Sequence, residues 1–429
     1  MTDIEQRLQR AGAAWRADQP DAPAPAQRPA GRSRWLPVLA AAAVVTLALG
    51  ATAVTRGLGP DPAPRTAAAG AEGSWEPMAA SPLAGRLRPV MAGWGDKVVV
   101  VGGRIEPPCP PNASCVRSLR ETQRDGALYD VPSDSWEPLP EAPLPLDATS
   151  SAVLDDVLYL WMREGTVLAL DLVARAWSTL PTPPDVVSDF LRLEAAGDRL
   201  IAYYGEVGRA DALDLAWLPA ERRWEQLPTA PYAPTHDRVM VWTGDNLVLI
   251  TAAAAPASQD EQTGPPFMRA AVLEDGAWRE LPEQEVVIFG STDWSWTGDR
   301  VVSASTASAD GGATNGFGRA YPSGGYLDPA TGRWSELPPT PDGHERAFGA
   351  PHAASGRFVA NGEGLVLDAE LERWIVLPDQ PDGADQDASS AWAAGRLVVW
   401  GGAAGVPPAP DPGEPRLLGS GAVFIPPSR

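Results

Sequence analysis

One short phrase recurs seven times along this chain of 429 residues. It reads Trp-x-x-Leu/Met, usually with proline next, at Trp75 (WEPM), Trp136 (WEPLP), Trp177 (WSTLP), Trp224 (WEQLP), Trp278 (WRELP), Trp334 (WSELP) and Trp374 (WIVLP). The intervals are 61, 41, 47, 54, 56 and 40 residues. Self-similarity at this period marks a repeat architecture, in which each unit is one supersecondary element that cannot bury its apolar face alone.

A second ruler gives the same count. Gly-Asp or a close variant precedes an apolar run at Gly95-Asp96, Asp155-Asp156, Gly197-Asp198, Gly244-Asp245, Gly298-Asp299, Gly356-Arg357 and Gly395-Arg396. These turns are 60, 42, 47, 54, 58 and 39 residues apart, within two residues of the tryptophan intervals. Gly and Asp supply the positive φ of a tight hairpin, and the Val/Leu/Tyr runs after them suit buried strands. A third mark lies six residues before several tryptophans, at Asp130, Asp171, Asp328 and Asp368. The pattern predicts four antiparallel strands per unit: a, a tight turn, b, a variable loop, c, a second tight turn, and d carrying the Trp.

These residues resemble the kelch family. Its repeat closes the second strand with a di-glycine, as at Gly102-Gly103 and Gly401-Gly402, and follows it with a Tyr-Asp-Pro-like third strand and a Trp six residues on. The likeness runs from Trp75 to Arg429 and departs from the pattern in places. The di-glycine is complete in two units only, and the Asp is replaced in the units ending at Trp224 and Trp278. The resemblance implies an all-β, seven-bladed kelch-like β-propeller, a fold that hosts binding modules and enzymes alike. Trp75 has no strands a to c before it, and the last unit ends without a Trp, so the strand around Trp75 is expected to complete the last blade. That closes the ring and leaves no open edge between the termini. The seven tryptophans read as packing between blades.

The front of the chain is of another kind. Trp35 to Val54 is 20 residues without a charge, enough to span about 30 Å of hydrocarbon as a helix. Arg16, Arg28, Arg32 and Arg34 precede it, against Arg56 and Arg65 after it, which places the N-terminus in the cytoplasm and the propeller outside. The competing reading is a cleaved signal peptide with Ala51-Thr52-Ala53 at the cleavage site. Within 1–34, Thr2-x-x-Glu5 fits a capping box, and Ile4, Leu8, Ala11 and Trp15 form one apolar stripe on a short helix ended by Pro20. The start is similar to those of bacterial membrane-bound anti-sigma proteins, which implies a regulatory alternative. The division is therefore 1–34 cytoplasmic segment, 35–54 transmembrane helix, 55–73 linker and 74–429 extracytoplasmic propeller.

Composition limits partners. Residues 1–34 hold six Arg against four acids, a net +2, so the remainder must carry −23 for the chain to total −21. An acidic ectodomain repels phosphates, which excludes nucleic acid there. Lys97 is the sole lysine, and alanine and proline abound, a bias that looks like a high-G+C bacterial genome. The two cysteines, Cys109 and Cys115, share the Pro-rich loop PPCPPNASC. So close together, they fit a local disulfide in an oxidising compartment. The alternative, a metal pair, needs two further ligands nearby.

No catalytic motif stands out. The copper oxidases related to galactose oxidase need a Cys cross-linked to Tyr and two His. Here the cysteines share a loop, and the histidines are His236, His344 and His352. No Ser-His-Asp order, P-loop or His-rich metal motif is present. The reading is thus a membrane-tethered binding or interaction scaffold without cofactor or metal, meeting a protein or carbohydrate at its loop-rich face. A carbohydrate-active enzyme or oxidase on the propeller is the alternative. The long insertions fall between strands b and c, and loops on a rigid scaffold usually carry recognition. Arg104, Arg117, Arg120 and Arg124, in the first of them, are the contact candidates.

Overall fold

The computed structural model describes residues 72–106, 122–183, 191–204, 213–232, 238–252, 268–283, 293–305, 324–341, 353–361, 364–381, 387–404 and 416–428. Strand β1 (Ser74–Pro77) comes first. Blade 1 is β2 (Val90–Trp94), β3 (Lys97–Val101), β4 (Gly126–Asp130) and β5 (Ser135–Pro138). Blade 2 is β6 (Ala148–Leu154), β7 (Val157–Met162), β8 (Val167–Asp171) and β9 (Ala176–Thr179). Blade 3 is β10 (Leu191–Ala196), β11 (Arg199–Tyr204), β12 (Leu215–Leu218) and β13 (Arg223–Gln226). Blade 4 is β14 (Val239–Trp242), β15 (Leu247–Ala252), β16 (Met268–Glu274) and β17 (Ala277–Glu280). Blade 5 is β18 (Trp294–Trp296), β19 (Val301–Ser303), β20 (Gly325–Asp328) and β21 (Arg333–Ser335). Blade 6 is β22 (Ala353–Ser355), β23 (Phe358–Ala360), β24 (Leu365–Asp368) and β25 (Arg373–Val376). Blade 7 holds β26 (Ser389–Ala393), β27 (Arg396–Trp400) and β30 (Gly421–Ile425), with a side ladder of β28 (Ala403–Ala404) and β29 (Arg416–Leu417).

The fourth strand of blade 7 is β1. The sheet order is β1-β30-β27-β26, and Ser74, Trp75, Glu76 and Pro77 lie opposite Ile425, Phe424, Val423 and Ala422. The chain is a seven-bladed β-propeller closed by its own N-terminal strand. Innermost strand β2 lies beside β26 on one side and β6 on the other, so blades 7 and 1 meet as neighbours in the ring. Among the described residues no helix is long and apolar enough to cross a membrane. The run 35–54, the segment 1–34 and most of 55–73 lie outside them.

The repeated phrase works as a blade-to-blade connector. The indole N–H of Trp136 donates to the Ala79 carbonyl at 3.0 Å, and Ala79 is four residues after Trp75 in the preceding blade. Likewise Trp177 donates to Pro140 at 2.9 Å, Trp224 to Pro181 at 2.8 Å and Trp278 to Pro228 at 2.9 Å. Trp374 donates to Pro338 at 2.9 Å, and Trp75 completes the circuit on Pro378 at 2.8 Å. A residue without an N–H suits that position, because proline leaves only its carbonyl to be satisfied. The Leu before it is also fixed in place, since the amides of Leu139, Leu180, Leu227, Leu281 and Leu377 extend the c–d ladder of their own blade. Trp334 is the exception. It is buried against Trp294, edge to face, and its N–H finds no partner among the described residues. Trp334→Phe is therefore expected to cost less than Trp224→Phe, which forfeits a hydrogen bond worth about 1 kcal/mol. Equilibrium unfolding of the two variants checks the order.

The aspartates six residues before the tryptophans cap the c–d turns. Asp171 accepts the amides of Val173 and Ala174, and Asp328 those of Ala330 and Thr331. Asp130 accepts from Ser133, and Asp368 from Leu371. These Asx turns explain the spacing. Blade 4 lacks the Asp because its c–d connection shortens to the pair Asp275–Gly276, both at positive φ. One turn differs from its sequence reading: the last a–b hairpin is Ala394–Gly395, and Arg396 already opens β27.

Candidate functional site

An antiparallel meander puts the a–b and c–d turns on one face of the ring and the b–c and d–a connections on the other. On that second face the seam between blades 7 and 1 carries an additional tier of backbone pairing. Gly402 donates to the Arg86 carbonyl at 2.8 Å, and the Arg86 amide donates to Leu418 at 3.2 Å. Leu87 and Arg104 exchange both backbone hydrogen bonds, at 2.8 and 2.9 Å, and Arg104 bridges onward to Thr122. The two di-glycines that matched the repeat pattern both lie here. Gly103 and Gly401 sit at φ +88° and +79°, and a Cβ on them would stand 2.9 Å from the Leu87 carbonyl oxygen and 2.8 Å from that of Arg86. Only glycine allows the chains to approach so closely. The roots of the blade 1 and blade 7 insertions are thereby laced together.

Arg86 is the centre of this tier and is fully buried. Its guanidinium grips Asp125 with two bonds of 2.6 and 3.0 Å and donates to the carbonyls of Gly102 at 3.0 Å and Ala84 at 2.9 Å. The bond from Arg86 holds the Asp125 carboxyl below its ordinary range, against the opposing pull of burial. A second such clasp joins blades 3 and 4. Arg238, 1% exposed, binds Asp214, 8% exposed, at 2.8 and 2.5 Å, and reaches the Tyr204 carbonyl at 3.0 Å. Both clasps tie the segment entering an inner strand to the end of a b–c connection.

Of the four arginines expected at contacts, two can be placed. Arg104 is half-buried and ion-paired to Glu106. Arg124 is exposed, and its Nε donates to the Ala142 carbonyl at 2.8 Å. Arg104 and Arg124 thus share one seam and one face, each with a partner inside the protein. Arg117 and Arg120 lie outside the described residues, as do Cys109, Cys115, His236, His344 and His352. Among the described residues no cluster of three or more His, Cys, Asp or Glu could hold a metal ion.

One group was not foreseen. Glu194, on inner strand β10, accepts the amide of Trp242 on inner strand β14 at 2.9 Å. The side chain is half-buried, and desolvation pushes its carboxyl up to about 7, only partly offset by that amide. The signal was present in the sequence, three residues before the Gly197-Asp198 turn. The clasps gave no such signal, because Arg86–Asp125 and Arg238–Asp214 join residues with no fixed spacing. The chain matches no protein-family model and no curated protein.

Proposed function

We propose that this propeller is a kelch-like binding or scaffolding module, held outside the cell membrane by a helix over 35–54 with residues 1–34 in the cytoplasm. The observation that carries the binding reading is the laced seam between blades 7 and 1. A second tier of backbone bonds and a buried Arg86 hold the roots of two long insertions side by side on one face. The opposite face offers short hairpins and Asp-capped turns. Strand β1 starts at that tight-turn side, since Ser74 lies opposite Ile425, the last residue of β30. A linker from the membrane would enter there, leaving the insertions to point away from the bilayer.

Two experiments test the two halves. Protease added to intact spheroplasts is expected to remove the propeller and spare the N-terminal segment. A soluble product whose N-terminus lies just after Ala53 overturns the tether and favours secretion. For binding, cross-linking in the native membrane is expected to capture a partner that is lost when residues 107–121 and 405–415 are each replaced by a short Gly/Ser link. Capture that survives both replacements, yet fails on changes to the tight-turn face, overturns the assignment. A Cys109–Cys115 disulfide within the first insertion belongs to the same reading, and two free thiols in a non-reduced digest would remove it.

A further inference from the structure

Glu194 holds a position that no other blade gives to a charged side chain. With the inner strands aligned on their hairpin turns, its counterparts are Ala92, Ala152, Val241, Ser295, Ala353 and Ala391. Side chains of this column face the following blade: Ala92 packs against the cluster that includes Leu158 of blade 2, and Ala391 belongs to the cluster that includes Val98 of blade 1. Glu194, half-buried, accordingly projects toward the seam between blades 3 and 4, where Ile201, Tyr203 and Met240 belong to one apolar cluster. The Trp242 amide it receives belongs to the free inner edge of β14, because Thr243 and Asn246 form the neighbouring hydrogen-bonded pair. Trp242 also lays its ring against Gly197, 3.4 Å from where a Cβ would stand, so Glu194, the hairpin and Trp242 form one joint.

The charged surroundings are sparse. Strands β6 and β14 carry no ionisable side chain, and on β7 only Tyr159 titrates, facing Trp217 on the other seam. On β11 stand Arg199, Tyr203 and Tyr204, with Tyr203 itself pushed up to about 12, chiefly by burial. Arg192 shares the strand of Glu194, and Arg238, at the entry to β14, is engaged by Asp214. Burial is the largest influence on the carboxyl, and among the described residues no cation counters it.

We propose that protonation of Glu194 sets how tightly blades 3 and 4 close on each other, making this seam a proton-sensitive hinge of the ring. The neutral carboxyl fits an apolar seam. The carboxylate demands hydration and favours a state in which water reaches between β10 and β14. The sign follows from linkage. The closed seam keeps its proton up to about pH 7, whereas an opened, hydrated carboxyl releases it near the ordinary 4.5. Closure is therefore complete in acid and weakens as pH rises between those two values.

Hydrogen exchange of the full-length protein tests this, with rates corrected for the intrinsic pH dependence of amide exchange. The opening constant of the β14 amides is expected to rise about tenfold per pH unit between about pH 5 and 7 and then level off. Glu194→Gln and Glu194→Ala, the second restoring the residue of four other blades, should each flatten that profile. Amides at the β2–β26 seam should show no such slope in any of the three proteins. A flat wild-type profile, or a slope that persists in the Gln and Ala variants, overturns the proposal. If one variant fails to fold, the other and the wild-type profile still decide.

Discussion

Asp214→Ala is expected to destabilise the propeller by about 3–5 kcal/mol, the cost of leaving Arg238 charged, buried and unpaired. The guanidinium is 1% exposed, so water cannot replace the two lost bonds without the seam opening. The apolar double replacement Arg238→Met with Asp214→Leu should recover most of that loss, because it removes the desolvation penalty together with the attraction. The Arg86–Asp125 clasp supplies an internal comparison. Arg86 is as buried as Arg238, but the Asp125 side chain is 41% exposed and its end of the pair is solvated. Asp125→Ala should consequently cost less than Asp214→Ala. Urea unfolding monitored by tryptophan fluorescence measures all three. Equal losses at Asp125 and Asp214 would mean that burial of the carboxylate does not set the energy of these clasps. A double replacement no better than Asp214→Ala would mean that the pair carries its own net stabilisation.

The blades were legible because their determinants are local and periodic. A Trp, the Leu three residues on and the residue after it satisfy, in that order, an indole N–H, a ladder amide and the next blade's indole. All three bonds must form within one short stretch, so the sequence cannot vary the spacing. The Asp caps are legible for the same reason, since an Asx turn binds amides two and three residues ahead. Closure could also be read, from a Trp without preceding strands and a last unit without a Trp. The clasps could not, because the separation of Arg86 from Asp125 is set by an insertion, and that of Arg238 from Asp214 by a different connection. The two di-glycines sit midway. The resemblance singled them out as strand endings, and their placement on both sides of Arg86 shows what they accomplish here: backbone approach at the closing seam. As contact residues, Arg104 and Arg124 were legible only as loop charges, and nothing in a loop's sequence tells whether its charge faces outward or is engaged by Glu106 or a carbonyl.

Trp75→Ala is expected to cost about 3–5 kcal/mol and to loosen the ring at its closure. Strand β1 is four residues long and, unlike the other outer strands, has no hairpin holding it to its neighbour. Its anchorage rests on a few contacts. Trp75 packs on Phe424 at a ring distance of 5.3 Å, its N–H reaches Pro378 in blade 6, and Glu72 pairs with Arg373 at 2.7 Å. Ala79, just beyond the strand, receives the indole of Trp136 from blade 1. Truncating Trp75 thus weakens the contacts to blade 6 directly and those to blade 1 through the displaced backbone, and it exposes the edge of β30. Trp177→Ala removes the same kind of side chain from a blade whose four strands are continuous, so β9 remains tethered. The two variants should differ in cooperativity as well as in stability: exchange at β30 should rise far above that of the remaining blades in Trp75→Ala, while Trp177→Ala should show no such local excess at β8. Trp75→Phe, which keeps the ring packing, should lose only about 1 kcal/mol for the hydrogen bond. If Trp75→Ala stays within about 1 kcal/mol of wild type and β30 stays protected, pairing of the β1 backbone alone closes the ring, and the tryptophan is not its clasp.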